Sequence, residues 1–219
     1  MPFSLAGVPV INKFVDRPGD ISLLEDALLP KSVPCQRQLF VLRGLGGMGK
    51  TQLAAAFARK HQKTYSAILW LDGSSETTLK RSIALYAPRI PKDQLSSSFP
   101  ANSQALGGDS EITVKEVLNW LSLPMNNKWL IIFDNVDRDH QTQEPDPDAY
   151  DVNLYFPESD HGSIFITTRL AKLEQLADAH RLDKVDIEKA VAIFSKWYGK
   201  AVGKSNSHIS SLIIRIAKS

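Results

Sequence analysis

Thiol is nearly absent from this 219-residue chain. One cysteine, Cys35, excludes a disulfide within the chain and fits a small hydrophobe in a reducing compartment. Charge of one sign is lacking as well. The 26 basic and 24 acidic side chains leave a net charge of +2, too balanced for the basic footprint of a nucleic-acid-binding surface. No apolar run approaches the roughly 18 residues of a membrane span. The opening "MPFSLAGVPVINKF" has no basic leader region and is interrupted by Pro9, so it does not read as a signal peptide. His61, His140, His161, His180 and His208 stand without the spacing of metal ligands. The expectation is a soluble, cytoplasmic protein with neither a nucleic-acid nor a membrane partner. With 43% apolar and 23% charged residues, the chain can bury the core of one large domain.

What the chain does have is an alternation of short buried runs and amphipathic stretches. "FVDRPGDISLLEDALLP" reads as an extended piece followed by a helix with Ile21, Leu24 and Leu28 on one face. "RQLFVLR", "YSAILWLDG", "KWLIIFD" and "GSIFITT" read as four buried strands. Residues 49–61 predict a helix turning Leu53, Ala54, Phe57 and Ala58 inward, and "SSETTLKRSIALYA" another carrying Leu79, Ile83 and Tyr86. Thr113 and Glu116 have the spacing of a capping box for a third, which buries Val114, Val117, Leu118 and Leu121. A helix is also expected from about Ala171 to Asp178. Residues 91–110 have no period and predict a surface loop, and the acidic run around Asp146 a solvated one. Trp70, Trp120 and Trp129 belong in the core. Strands alternating with helices predict an α/β architecture, a mostly parallel sheet covered on both faces in three layers. Beyond about Asp183, stripes through Ile187, Ala190, Val191, Phe194 and Trp197, then Ile209, Leu212, Ile213 and Ile216, predict the first helices of a small helical domain. The expected division is 1–182, nucleotide-binding, and 183–219, helical.

The chemistry concentrates in "GLGGMGKTQ", residues 44–52, which fits G-x-x-x-x-G-K-[ST] between a buried strand and a helix. Gly44, Gly46, Gly47 and Gly49 permit positive φ and bring backbone N–H groups close to phosphate oxygens. Met48 and Gln52 flank the same cradle. Lys50 is the charge for the β- and γ-phosphates, and the Thr51 hydroxyl a ligand for Mg²⁺. Asp134, ending an apolar strand, is the second Mg²⁺-side group. Arg169 ends the next parallel strand. Ligands of such sheets sit at the carboxyl ends of strands, so Arg169 is expected beside the γ-phosphate.

These three motifs in this order resemble the NB-ARC class of STAND P-loop NTPases, the switch modules of plant resistance proteins, apoptosis activators and fungal NOD-like receptors. "GLGGMGKTQLA", "SAILWLDGSSETTLKRSI", "WLIIFDNVD", "GSIFITTR" and "HRLDKVDIEKAVAIF" are similar to segments of fungal members. "FVDRPGDISLLEDAL" resembles the family's adenine-side segment, within residues 10–30. The resemblance therefore implies adenine-side roles for Phe14, Val15 and Arg17. Relatives have Gly before that arginine, where this chain has Asp16. Many also carry a second acid after the Mg²⁺ aspartate, where this chain has Asn135, an amide that accepts no proton at neutral pH. Asp137 is the candidate to substitute, and very slow hydrolysis is expected.

The resemblance further implies bound ATP or ADP with Mg²⁺, and partnership with another copy or with full-length relatives. It also implies a chain that stops before the Gly-Leu-Pro-Leu motif. Three functions stay open at this point. One is an ATP/ADP switch module of a receptor in fungal immunity or incompatibility. The second is a conventional P-loop ATPase or kinase, and the third an interaction fragment that binds nucleotide weakly. Lys50 is expected on the surface of its loop.

Overall fold

The computed structural model describes residues 7–11, 14–31, 36–96, 110–141, 146–185 and 190–193. Five strands form one sheet: β1 (Gln38–Arg43), β2 (Ala67–Asp72), β3 (Trp129–Asp134), β4 (Ser163–Thr168) and β5 (Asp178–Arg181). Their spatial order is β2-β3-β4-β1-β5, and every pairing is parallel. Such a sheet must be covered on both faces, which is why its strands read as apolar runs without alternation.

Helices α1 (Pro18–Leu28) and α2 (Lys50–Lys60) cover one face, where Leu24, Leu28, Leu53 and Phe57 meet Ile68, Trp70, Ile132 and Phe165. Helices α3 (Glu76–Ala84) and α4 (Ser110–Ser122) cover the other, against Leu69, Leu71, Ile131, Phe133, Ile164 and Ile166. Pro18 opens α1, where its missing N–H is no loss. Ser75 and Thr78 cap α3 reciprocally through side chain and backbone. Trp70, Trp120 and Trp129 are buried as expected.

Several local expectations need correction. Residues 171–178 do not form an α-helix. Ala171–Leu176 is a 3₁₀ helix, and the chain then pairs with β1 as the fifth strand, β5. Helix α4 begins at Ser110, so Thr113 lies inside it rather than capping it. Glu116 instead accepts hydrogen bonds from the backbone N–H and hydroxyl of Ser96. That contact, with Leu95 packed on the core, holds residues 91–96 to the domain, whereas 97–109 lie outside the described residues. Tyr86 follows α3 rather than belonging to it. Asp146 and Asp148 are solvent-accessible, as expected of a solvated loop, and both contact Arg138, while nearby Tyr150 is buried and donates to Gly73 O at 2.8 Å. Of the two C-terminal stripes, residues 190–193 are helical and the rest lies outside the described residues. No helix among the described residues is long and apolar enough to cross a membrane.

Candidate functional site

The strand order decides which residues can meet. Strand β4 lies between β1, which feeds the glycine-rich loop, and β3, which ends at Asp134. The carboxyl ends of β1, β4 and β3 therefore stand side by side. Backbone bonds from Gly44 N to Thr168 O (3.1 Å) and from Val136 N to Thr167 O (3.0 Å) extend the pairing beyond the strand ends.

The loop leaves β1 at Gly44, which is buried, and reaches α2 through Gly47 and Gly49. These two have φ of +77° and +89°, conformations an L side chain rarely adopts. Gly49 caps α2, and its carbonyl accepts the N–H of Leu53 at 2.9 Å. The N–H groups of Lys50, Thr51 and Gln52 therefore precede the first intrahelical bond and are free to face an anion, with the positive end of the helix dipole behind them. Gly46 and Gly47 are exposed, and Met48 packs against the α1–α2 core.

Lys50 is not on the surface. It is 9% exposed, and its Nζ donates to Gly44 O at 2.6 Å and Leu45 O at 3.1 Å, curled under its own loop. Burial lowers its pKa, and the charges of Asp137 and Asp134 oppose that shift.

Thr51 lies one residue on, and its hydroxyl donates to Asp134 Oδ1 at 3.0 Å. The same oxygen accepts from the Thr167 hydroxyl at 2.6 Å. Burial raises the Asp134 pKa, these two bonds counter it, and the neighbouring charge of Asp72 adds to the rise. A half-buried carboxylate whose hydrogen-bond partners are neutral hydroxyls, set beside a helix N-terminus, is a donor set suited to a hard cation. Thr51 and Asp134 would hold Mg²⁺, which when bound neutralises phosphate charge.

Asn135 has φ of +68°, a left-handed conformation that asparagine tolerates. Its N–H donates to Thr167 Oγ1 at 2.9 Å, and the residue is exposed. Asp137 lies beside Arg169. Its Oδ1 accepts the Arg169 N–H at 2.7 Å, and its Oδ2 is 2.7 Å from Arg169 Nε. The Arg169 guanidinium also lies over the loop, with Cζ 3.6 Å from where a Cβ on Gly46 would stand.

The N-terminal segment reaches the loop through Arg17, whose guanidinium donates to Met48 O at 3.3 Å and pairs with Asp20 at 3.5 Å. Asp20 in turn meets His180 of β5 at 3.1 Å. Phe14 packs against the α1–α2 core, and Val15 is half-buried. A cleft of about 630 Å³ runs from Thr51, Asp134 and Asn135 past Asp72 to Tyr86 and Arg89.

Reasoning from sequence missed Thr167, which orients both Asp134 and the turn at Asn135. Its signal was present, since Thr167 and Thr168 close the apolar run Ile164–Ile166 of a strand expected to be buried, where hydroxyls demand partners. It also missed Asp20 and His180, whose tie to Arg17 exists only in the folded chain.

A glycine-rich loop between strand and helix, a buried lysine beneath it and an aspartate on a strand one place removed define a P-loop NTPase of parallel α/β fold. Comparison with known proteins narrows the class. The NB-ARC domain family's sequence profile matches residues 24–202, and the chain belongs to that family. No curated protein matches.

Among solved structures, the chain is similar to a signal transduction ATPase with numerous domains (STAND) protein with a tetratricopeptide repeat sensor from Pyrococcus horikoshii. The TM-score is 0.54 and the identity 18%, over 100% of this chain and 30% of that one. It is also similar to Cdc6p from Pyrobaculum aerophilum, with TM-score 0.58 and identity 14%, over 98% of this chain and 56% of that one. At these identities the likeness is one of fold. The chain spans about a third and about half of the two structures.

Proposed function

We propose that this NB-ARC domain is a molecular-switch module that holds ADP or ATP with Mg²⁺ and hydrolyses ATP slowly or negligibly. The observation that carries the reading is what surrounds the Mg²⁺-side aspartate. The residue after Asp134 is Asn135, whose amide cannot take a proton from water. The carboxylate three residues on, Asp137, is engaged by Arg169 through both oxygens. With an amide after the Mg²⁺-side aspartate and the Asp137 carboxylate held by Arg169, the site favours retention over turnover.

In this reading Gly44, Gly46, Gly47, Met48, Gly49, Lys50, Thr51 and Gln52 cradle the phosphates. Thr51 and Asp134 hold Mg²⁺, Arg169 senses the γ-phosphate, and Phe14, Val15 and Arg17 form the adenine side. Residues 1–182 bind nucleotide, and 183–219 begin a helical subdomain that follows the nucleotide state. The resemblance of the motifs to fungal NOD-like receptors supports a cytoplasmic place in innate immunity or incompatibility signalling, through self-association or pairing with full-length relatives.

The test is the nucleotide released on denaturing the purified protein, together with steady-state phosphate release. Retained ADP and turnover below about one per minute, the rate of a slow regulatory NTPase, is the expected result. Faster turnover, or phosphoryl transfer to an acceptor, would make the nucleotide a fuel.

A further inference from the structure

We propose that Asp137 is a positioning residue that competes with the γ-phosphate for Arg169, and so biases the site toward the diphosphate. The inference rests on the switch reading above. Arg169 follows β4, which lies between the phosphate loop and the strand of Asp134, and its side chain is 57% exposed, free to pivot. Two anchors hold it on Asp137. The backbone N–H is bonded to Oδ1, and Nε stands against Oδ2.

That second oxygen is buried and has no hydrogen-bond partner, so the ion pair with Arg169 is its electrostatic compensation. Drawing the guanidinium toward a γ-phosphate leaves a buried carboxylate oxygen uncompensated, a penalty the diphosphate does not incur. Burial lowers the Lys50 pKa and the charge of Asp137 opposes that shift, so the same carboxylate acts on the loop's own cation. One carboxylate thus acts on both cations that a terminal phosphate would use, held against Arg169 and attracting Lys50. A γ-phosphate meets both a repelling carboxylate and an occupied arginine.

Asp137→Asn keeps an oxygen to accept the Arg169 N–H but removes the charge. Calorimetric titration of the full 219-residue chain with ADP and with a non-hydrolysable ATP analogue, both with Mg²⁺, reads the effect. The ratio of triphosphate to diphosphate affinity is expected to rise about three- to fivefold in Asp137→Asn, the range of a half-exposed ion pair. The change should disappear in the Arg169→Gln background. An unchanged or falling ratio, or a rise that persists without Arg169, overturns the inference while leaving the switch reading intact. Failure of the unsubstituted chain to bind either nucleotide overturns both.

Discussion

The molecule buries Lys50 and half-buries Asp134, two opposite charges, without pairing them directly. Lys50 is solvated by carbonyls of its own loop and Asp134 by two hydroxyls. Both arrangements suit a site that waits for ions of its own. The Asp134 pKa is raised by burial, so its folded-state value lies above that of the unfolded chain. Its ionisation therefore opposes folding at neutral pH, and that opposition fades as pH falls through the folded-state value. Asp134→Asn, whose amide oxygen can still accept from Thr51 and Thr167, should raise the Tm of nucleotide-free protein in EDTA at pH 7. The gain should shrink on acidification. Melting curves across pH decide this, and a pH-independent loss of stability would mean that the hydroxyl bonds outweigh the desolvated charge.

Among the elements, β2 shows how the sheet is closed at one edge. Two of its backbone N–H groups are met by side chains: Trp70 N–H donates to the Tyr86 hydroxyl at 2.8 Å, and Asp72 N–H to Ser82 Oγ at 3.2 Å. An edge strand so occupied is a poor template for another chain. Tyr86→Phe leaves the Trp70 N–H buried without its acceptor and should lower unfolding free energy by about 1–3 kcal/mol. Urea denaturation with an unchanged m-value would read it; an unaltered midpoint would show that the bond contributes nothing.

The elements that were legible in sequence are those whose side chains specify them. The apolar runs of β1 to β4 and the buried stripe of α2 need no tertiary information. Residues 171–178 read as a helix because Leu173 and Leu176 have helical spacing, while Asp178–Arg181 is polar, largely exposed and without alternation. Its strand character comes from backbone pairing with β1, which sequence periodicity does not record. Likewise the residue types of the candidate phosphate site were legible. The burial of Lys50, the bridge at Thr167 and the tie of Asp137 to Arg169 depend on strand order.

For the whole molecule, that order is what turns motifs more than 80 residues apart into one site. Inserting β4 between β1 and β3 brings a threonine pair and an arginine between the phosphate loop and the Asp134 carboxylate. The NB-ARC family match and the two structural likenesses agree with this arrangement. Nucleotide should therefore stabilise the domain as a unit, because the cradle draws on β1, β3, β4 and α2 together. The most direct measurement is a melting curve with Mg²⁺ plus ADP, ATP or GTP, on the native chain and on Lys50→Ala. Adenine nucleotide at a hundred times its Kd should add about 2.7 kcal/mol, several degrees for a domain of this size. The expected result is such a shift with ADP and ATP, lost in Lys50→Ala. No shift with any nucleotide, or an equal shift in Lys50→Ala, would contradict the assignment of this loop as a phosphate site.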